Sequence, residues 1–352
     1  MGIAAKKGRG KKNVLPSGFD IRAAIGQMVI ISFPGDGWNP ELETLICERK
    51  VGGLIFFKEN IPSTLSALKK LNAKITKEGL RPSGGLVPFI SVDEEGGRVS
   101  RLKHLIGEHP PQMALGQKGA VAVAKNYASL GKKVKQAGFN ITWSPVLDVL
   151  TNSANPVIGD RSFSPDMELV AKYGKVALKA LRKAGLLTTG KHFPGHGDTS
   201  IDSHLALPVM DTTMKTLKSR ELVPFRAAVS ERADFFMTAH ILFRKIDARY
   251  PVTFSKKFLT GLLRQKMGFS GLIVTDDLNM NAAKNSLDMR DRIKLAINAG
   301  ADVLLIREPY PAVLGFLDTF ESLVREGEIS PQRLKESLGR ISRIKRKYAS
   351  LA

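Results

Sequence analysis

Eight short apolar runs recur along this chain, each rich in β-branched and aromatic residues and each separated from the next by room for one helix. They are "MVIISF" (28–33), "GGLIFF" (52–57), "VPFISVD" (87–93), "NITWSPVLDV" (140–149), "LLTTGKHF" (186–193), "DFFMTAH" (234–240), "GLIVTDD" (271–277) and "ADVLLI" (301–306). Strands that read as continuous apolar segments are buried on both faces, which indicates a parallel sheet. The intervening stretches carry helical periodicity, for example "VAVAKNYASLGKKVKQAG", "ELVAKYGKVALKALRKAG", "SKKFLTGLLRQKMG" and "RDRIKLAINAG", and several place Lys or Arg shortly before a closing Gly, as helix C-termini prefer. Eight strand–helix units in series predict a (β/α)8 barrel, a fold that typically takes about 250 residues before insertions. The 352 residues would also allow two domains, but no Gly/Ser-rich linker or internal repeat divides them. The expectation is therefore one α/β barrel domain over 20–352, closed by a C-terminal helix in "SPQRLKESLGRISRIKRKYASLA".

The charge balance narrows the function classes. The formal net charge is +21, which raises nucleic acid as a partner. Five of the cations (Lys6, Lys7, Arg9, Lys11, Lys12) sit in a start that reads as a flexible basic arm over 1–19, and the rest are scattered over helical segments. No recognisable nucleic-acid module accompanies them, and with 7% aromatic residues stacking platforms for bases are not expected. Solvated basic faces are the plain reading, and attraction to acidic cell-envelope material is the sharper one. No apolar run reaches the roughly 18 residues of a membrane span. The single cysteine, Cys47, rules out an intrachain disulfide and is expected as a small packed hydrophobe. Asp20 and Arg22 stand where the apolar part of a signal peptide would lie, so the cytoplasm is the expected compartment, or the periplasm or exterior if a precursor segment is missing.

Active sites of such barrels lie at the C-terminal ends of the strands. Polar residues here fall at those ends: Asp93 after the third run, Asp148 after the fourth, Lys191 and His192 in the fifth, His240 in the sixth, and Asp276 with Asp277 in the seventh. After the fifth comes "KHFPGHGDTSIDSHLALP", which holds three of the six histidines. His192 and His196 have the spacing of paired zinc ligands on a helix, but Pro194 and Gly195 break any helix between them. A folded loop could still gather His204 and Asp202 about a metal. The other reading of "DSH" is a carboxylate, Asp202, that holds His204 in one tautomer for proton transfer. No G-x-S-x-G elbow is present, which leaves the strand-end carboxylate Asp276 as the candidate nucleophile.

Four segments together carry a resemblance to a known family: "KHFPGHGDTSIDSHLALP", "SVDEEGGRVSRL", "SPVLDVLTNSANPVIGDRSF" and "GFSGLIVTDDLNM". They resemble, in order, the signature segments of glycoside hydrolase family 3, and in particular its bacterial β-N-acetylglucosaminidase branch. The resemblance implies that Asp276 forms a covalent glycosyl-enzyme, with Asp277 its non-nucleophilic neighbour. It implies that His204 is the general acid/base, paired with Asp202. It implies that Asp93, Arg161, Lys191 and His192, with Arg101 a weaker candidate, bind the hydroxyls of a terminal N-acetylglucosamine. His196 is expected to shape the loop. A local ion pair with Asp160 is the competing role for Arg161, and a solvated acidic turn the competing role for Asp93. Arg161 and Lys191 would also favour the ionised form of Asp276.

The implied activity is retaining, exo-acting hydrolysis of N-acetylglucosamine from peptidoglycan fragments, without cofactor or metal, by a monomer whose partner is a small carbohydrate rather than nucleic acid or membrane. The alternatives are a β-glucosidase of the same family, an N-acetylglucosaminide phosphorylase, a metal hydrolase, and a non-catalytic sugar-binding barrel.

Overall fold

Each of the eight apolar runs contains a strand: β1 Val29–Ile31, β2 Gly53–Phe56, β3 Phe89–Val92, β4 Ile141–Thr142, β5 Thr189–Phe193, β6 Phe235–Thr238, β7 Leu272–Val274 and β8 Leu304–Ile306. The computed structural model describes residues 20–285 and 287–350. The basic arm expected over 1–19 lies outside the described residues. Every residue of these eight strands is buried, as their unbroken apolar character requires.

The strands form two parallel sheets, β8-β1-β2-β3-β4 and β7-β6-β5. Isolated bridges join them at the seams, Ile141 to Leu187 and Val146 to Lys191 beside β4 and β5, and Val274 to Val303 beside β7 and β8. The result is an α/β fold with parallel sheets whose neighbours follow chain order. Its two seams are held by isolated bridges where the sequence led one to expect continuous ladders. Phe89 of β3 and Phe235 of β6 meet edge to face with ring centroids 5.3 Å apart, and Trp143 meets Phe235 at 5.7 Å, so aromatic rings fill the space between the two sheets.

Helices cover the outside. Ala120–Gln136, Met167–Lys183, Met289–Ala299 and Pro331–Ala349 stand where the periodicity predicts them. Asp166, Asp288 and Ser330 cap the last three through their side chains. The segment "SKKFLTGLLRQKMG" differs: Lys257–Lys266 is wound as a π-helix, and Thr44–Glu48 around half-buried Cys47 likewise. Periodicity alone does not register so small a change in winding. No helix among the described residues is long and apolar enough to cross a membrane.

The C-terminal helix Pro331–Ala349 docks through its cations. Arg340 and Arg333 reach the buried Asp302, Lys347 Nζ lies 2.5 Å from Asp234, and Lys345 Nζ donates to Gln27 Oε1 (2.7 Å) and the Gly52 carbonyl (2.8 Å). Lys345 also lies 4.6 Å from the Phe89 ring and has no carboxylate partner among the described residues. Burial pushes its ammonium down to about 7 from the usual 10.5. Between these values the unfolded chain takes up a proton that the folded chain does not, so this group makes stability rise with pH across that window, by up to about 1.4 kcal/mol per unit. In Lys345→Met, urea denaturation at pH 7 and pH 9 is expected to show a smaller gain on alkalinisation than the parent.

Candidate active site

The rim is built around one buried carboxylate. After β3, Asp93 leads into a tight antiparallel hairpin, Glu94–Gly96 with Val99–Ser100. Gly96 turns it with φ +93°, and a Cβ there would stand 2.6 Å from the Pro110 carbonyl, so only glycine fits. Glu94 satisfies the hairpin itself, accepting from the Ser100 hydroxyl and the Leu102 amide. Glu95 points the other way. Its carboxylate takes a two-pronged contact from Arg161 (Nε and Nη2, both 2.8 Å) and a third from Lys191 Nζ at 2.6 Å. Lys191 also reaches Asp93 Oδ1 at 2.9 Å. Burial disfavours the ionised carboxylate, yet the two cations outweigh it and hold Glu95 far below the usual range. Asp160, beside Arg161 in sequence, instead pairs with Arg98.

Asp148, beyond β4, organises the start of the histidine loop. It is fully buried and accepts from the His192 ring Nδ1 (2.7 Å), the His192 amide and the His196 amide (2.7 Å). The peptide bonds before His192 and Pro194 are cis. Gly197 packs so closely on the Val149 carbonyl that a Cβ would stand 1.8 Å from it. His196 is buried between the Thr199 hydroxyl at Nδ1 and the Ser203 hydroxyl at Nε2, and burial, then His192, pushes it down to about 4. It is a neutral brace of the loop. The Ser203 carbonyl accepts from the Ala282 amide, which ties the loop to the segment after β7.

His204 is the exposed member of the set, its side chain 65% accessible. Asp202 Oδ1 accepts from its amide (2.8 Å) and meets its ring Nδ1 at 2.7 Å. Burial opposes ionisation of Asp202, but these contacts hold its carboxyl below the usual range. The ring Nε2 is thereby left to act outward.

Asp276 follows β7, and its Oδ1 accepts from the Asp277 amide at 2.8 Å. Burial again disfavours the charged form, while His192, His240, the Asp277 amide and, last, Lys191 hold its carboxyl below the usual range. Arg161, expected from sequence to assist, is engaged by Glu95. His240 fixes the segment from behind: its Nε2 donates to the Asp277 carbonyl (3.0 Å) while Nδ1 accepts from Thr253 (2.8 Å). The neighbouring Asp277 is the opposite case, with burial first, then Asp276 and Glu308, pushing it up to about 6.

A cleft of about 210 Å³ gathers these groups. Asp93, Arg101, Arg161 and Lys191 line one part, and His192, His204 and Asp276 another. Asp202 stands behind His204, outside the lining. Arg101 Nε has no partner among the described residues. Among the described residues no group of three His, Cys, Asp or Glu side chains stands in metal-holding geometry. Sequence reasoning missed Glu95, read there only as part of an acidic turn, and Arg307, which also lines the cleft. It noted Asp148 and His240 as strand-end residues without giving them a task. The signal for Glu95 was available in "DEEGG", where two glycines force the turn that aims it inward.

The pattern of the glycosyl hydrolase family 3 N terminal domain matches residues 20–344. The chain belongs to glycoside hydrolase family 3. Among curated members of the family it is 35% identical to a beta-hexosaminidase of Methylococcus capsulatus over 305 residues, 86% of this chain and 88% of that one. It is 32% identical over 340 residues to beta-hexosaminidase A of Pseudoalteromonas piscicida, covering 89% of this chain but 57% of that one. Its fold overlays the family 3 β-N-acetylglucosaminidase of Paenibacillus sp. str. FPU-7 with a TM-score of 0.91 at 36% identity, over 95% of this chain and 64% of that chain. The chain thus spans less than two thirds of the length of two of these three family members.

In this family 3 site, removing Glu95 would leave the buried Arg161 without a carboxylate and Lys191 with Asp93 alone. Glu95→Ala is expected to cost about 3–5 kcal/mol of stability, measured by urea denaturation, and Glu95→Gln less because two of its three contacts can be kept through the amide oxygen.

Proposed function

We propose that the chain is a retaining exo-β-N-acetylglucosaminidase acting at the C-terminal rim of a (β/α)8 barrel. The observation that carries this reading is the small cleft in which an ionised Asp276 and an Asp202-held His204 line the same space. A cleft of about 210 Å³ admits one sugar ring, which favours removal of a terminal residue over cleavage within a chain.

In the first step the Asp276 carboxylate attacks the anomeric carbon while protonated His204 gives its Nε2 proton to the departing glycosidic oxygen. Asp202 stabilises the imidazolium before that transfer. In the second step neutral His204 takes a proton from water, which attacks the glycosyl-enzyme and frees Asp276. Asp93 and Lys191 meet the sugar hydroxyls as acceptor and donor, with Arg161 and His192 beside them, and Glu95 holds both cations in place. The names of the relatives support hexosamine as the sugar. Peptidoglycan fragments are the substrate class drawn from the resemblance, and the basic surface favours approach of acidic fragments.

Initial rates on 4-nitrophenyl β-N-acetylglucosaminide and β-glucoside test the reading. The N-acetyl sugar should be strongly preferred and a chelator should leave the rate unchanged. Loss to the chelator would make the loop histidines metal ligands. Asp276→Asn should abolish turnover. His204→Ala should lose about 10²–10⁴-fold on an alkyl glycoside and much less on the 4-nitrophenyl leaving group, and equal losses on both would remove His204 from the acid role.

A further inference from the structure

Opposite the candidate site, the helix Pro331–Ala349 crosses the N-terminal ends of the strands, and cations gather there under β5, β6 and β7. Arg182, near the end of the helix Met167–Lys183, donates through Nη2 to the carbonyls of Glu231 (2.5 Å) and Arg232 (3.2 Å), just before β6. Arg343 donates through Nη2 to the carbonyl of Ser270, just before β7. Arg346 stands one helical turn beyond Arg343 on the same face, and Arg346, Lys183 and Arg232 are exposed.

These cations have no carboxylate among the recorded ion pairs of the described residues, and the neighbouring acids are already engaged. Asp234 is held by Lys347, Asp302 by Arg264, Arg333 and Arg340, and Glu231 by Lys175 and Lys179. The floor therefore keeps an excess of positive charge after its internal pairs are made. The carbonyl contacts also fix two of the guanidiniums without using them up. Among the described residues Arg182 and Arg343 engage only Nη2, which leaves Nε and Nη1 for an oxyanion. A guanidinium fork matches phosphate with two parallel hydrogen bonds.

The surroundings decide which phosphate-bearing partner fits. A lipid surface calls for apolar side chains that enter it. The exposed large hydrophobics of the described residues, Val121, Leu169, Ile201, Leu205 and Val209, lie instead in the first turns of helices and in the segment after β5, toward the rim. A DNA groove calls for a protruding helix or ribbon. Here Pro331–Ala349 is packed down along its length through Leu334, Ile341, Ile344 and Tyr348, and no aromatic ring stands exposed for base stacking. A flexible chain of phosphates needs neither, and can follow cations carried on separate segments.

We propose that this floor binds a flexible linear polyanion of phosphate groups, without bases, and leaves the sugar cleft at the opposite end free. The binding is independent of the glycosidase reading.

The test is titration of end-labelled linear polyphosphate with the full chain over a series of NaCl concentrations. For a single-stranded polyanion, log K falls with log salt by about 0.7 for each phosphate neutralised. The variant Arg232→Gln/Arg343→Gln/Arg346→Gln should therefore bind more weakly at low salt, with a slope shallower by about 2. Arg346→Gln alone, a substitution at an exposed side chain without a recorded partner, should flatten the slope by about 0.7 and guards against a folding defect in the triple variant. Lys69→Gln/Lys70→Gln/Lys125→Gln removes the same charge from exposed positions on the helices Leu65–Leu80 and Ala120–Gln136, and should keep the parent's affinity and slope. A loss in this flank variant as large as in the floor variant, or no loss in the floor variants, would overturn the proposal. So would tighter binding, at equal phosphate concentration, to duplex DNA or to phosphatidylglycerol vesicles than to polyphosphate.

Discussion

The rim depends on the contact of Glu95 with Arg161 and Lys191. The three charges come from the hairpin after β3, the turn Gly159–Arg161 and the end of β5, so the carboxylate ties together segments far apart in sequence. Each ion has lost most of its hydration, and a misplaced partner would leave a buried charge unpaired. With Asp93 included, two cations face two carboxylates and the cluster is formally neutral. It therefore offers no large net positive field to Asp276, whose ionised state leans on His192, His240 and the Asp277 amide instead. The network orients donors and acceptors for hydroxyl groups, a task that a balanced set does better than an excess of one sign.

The same logic, with different partners, operates at the C-terminal helix. Arg333, Arg340, Lys345 and Lys347 are turned inward onto Asp302, Asp234, Gln27 and the Gly52 carbonyl. Part of the large basic excess is thus internal scaffolding. A net charge read from composition counts these cations as if they were surface, which overstates the field a distant polyanion would meet.

What the sequence disclosed follows from how local each signal is. The eight apolar runs mark the eight strands because burial on both faces leaves no polar alternation to confuse them. The helix over Met167–Lys183 is legible from its period and its capping Asp166. The seams between the sheets, held by Ile141–Leu187, Val146–Lys191 and Val274–Val303, depend on geometry summed around all the strands, and no local pattern encodes it. The strand-end rule located Asp93, Lys191, His192 and Asp276 because it relies only on chain order. Glu95 and Glu94 are adjacent and chemically alike, and only the turn formed by Gly96 and Gly97 decides which one faces the site.

The three histidines of one loop are sorted by burial. His192 is bound to Asp148 at the wall of the cleft, and His196 is kept neutral between two hydroxyls. His204 alone stands in solvent contact with a carboxylate behind it. A carboxylic acid can serve as a proton donor near neutral pH only if burial or a neighbouring negative charge raises its pKa. A residue on an exposed loop cannot be given that burial without a second domain or a lid to cover it. A free imidazole has its pKa near neutrality, so an imidazole for the proposed proton transfer suits the open setting of the loop. The pairing with Asp202 then supplies what exposure takes away, a fixed ring orientation, through two contacts made within three consecutive residues.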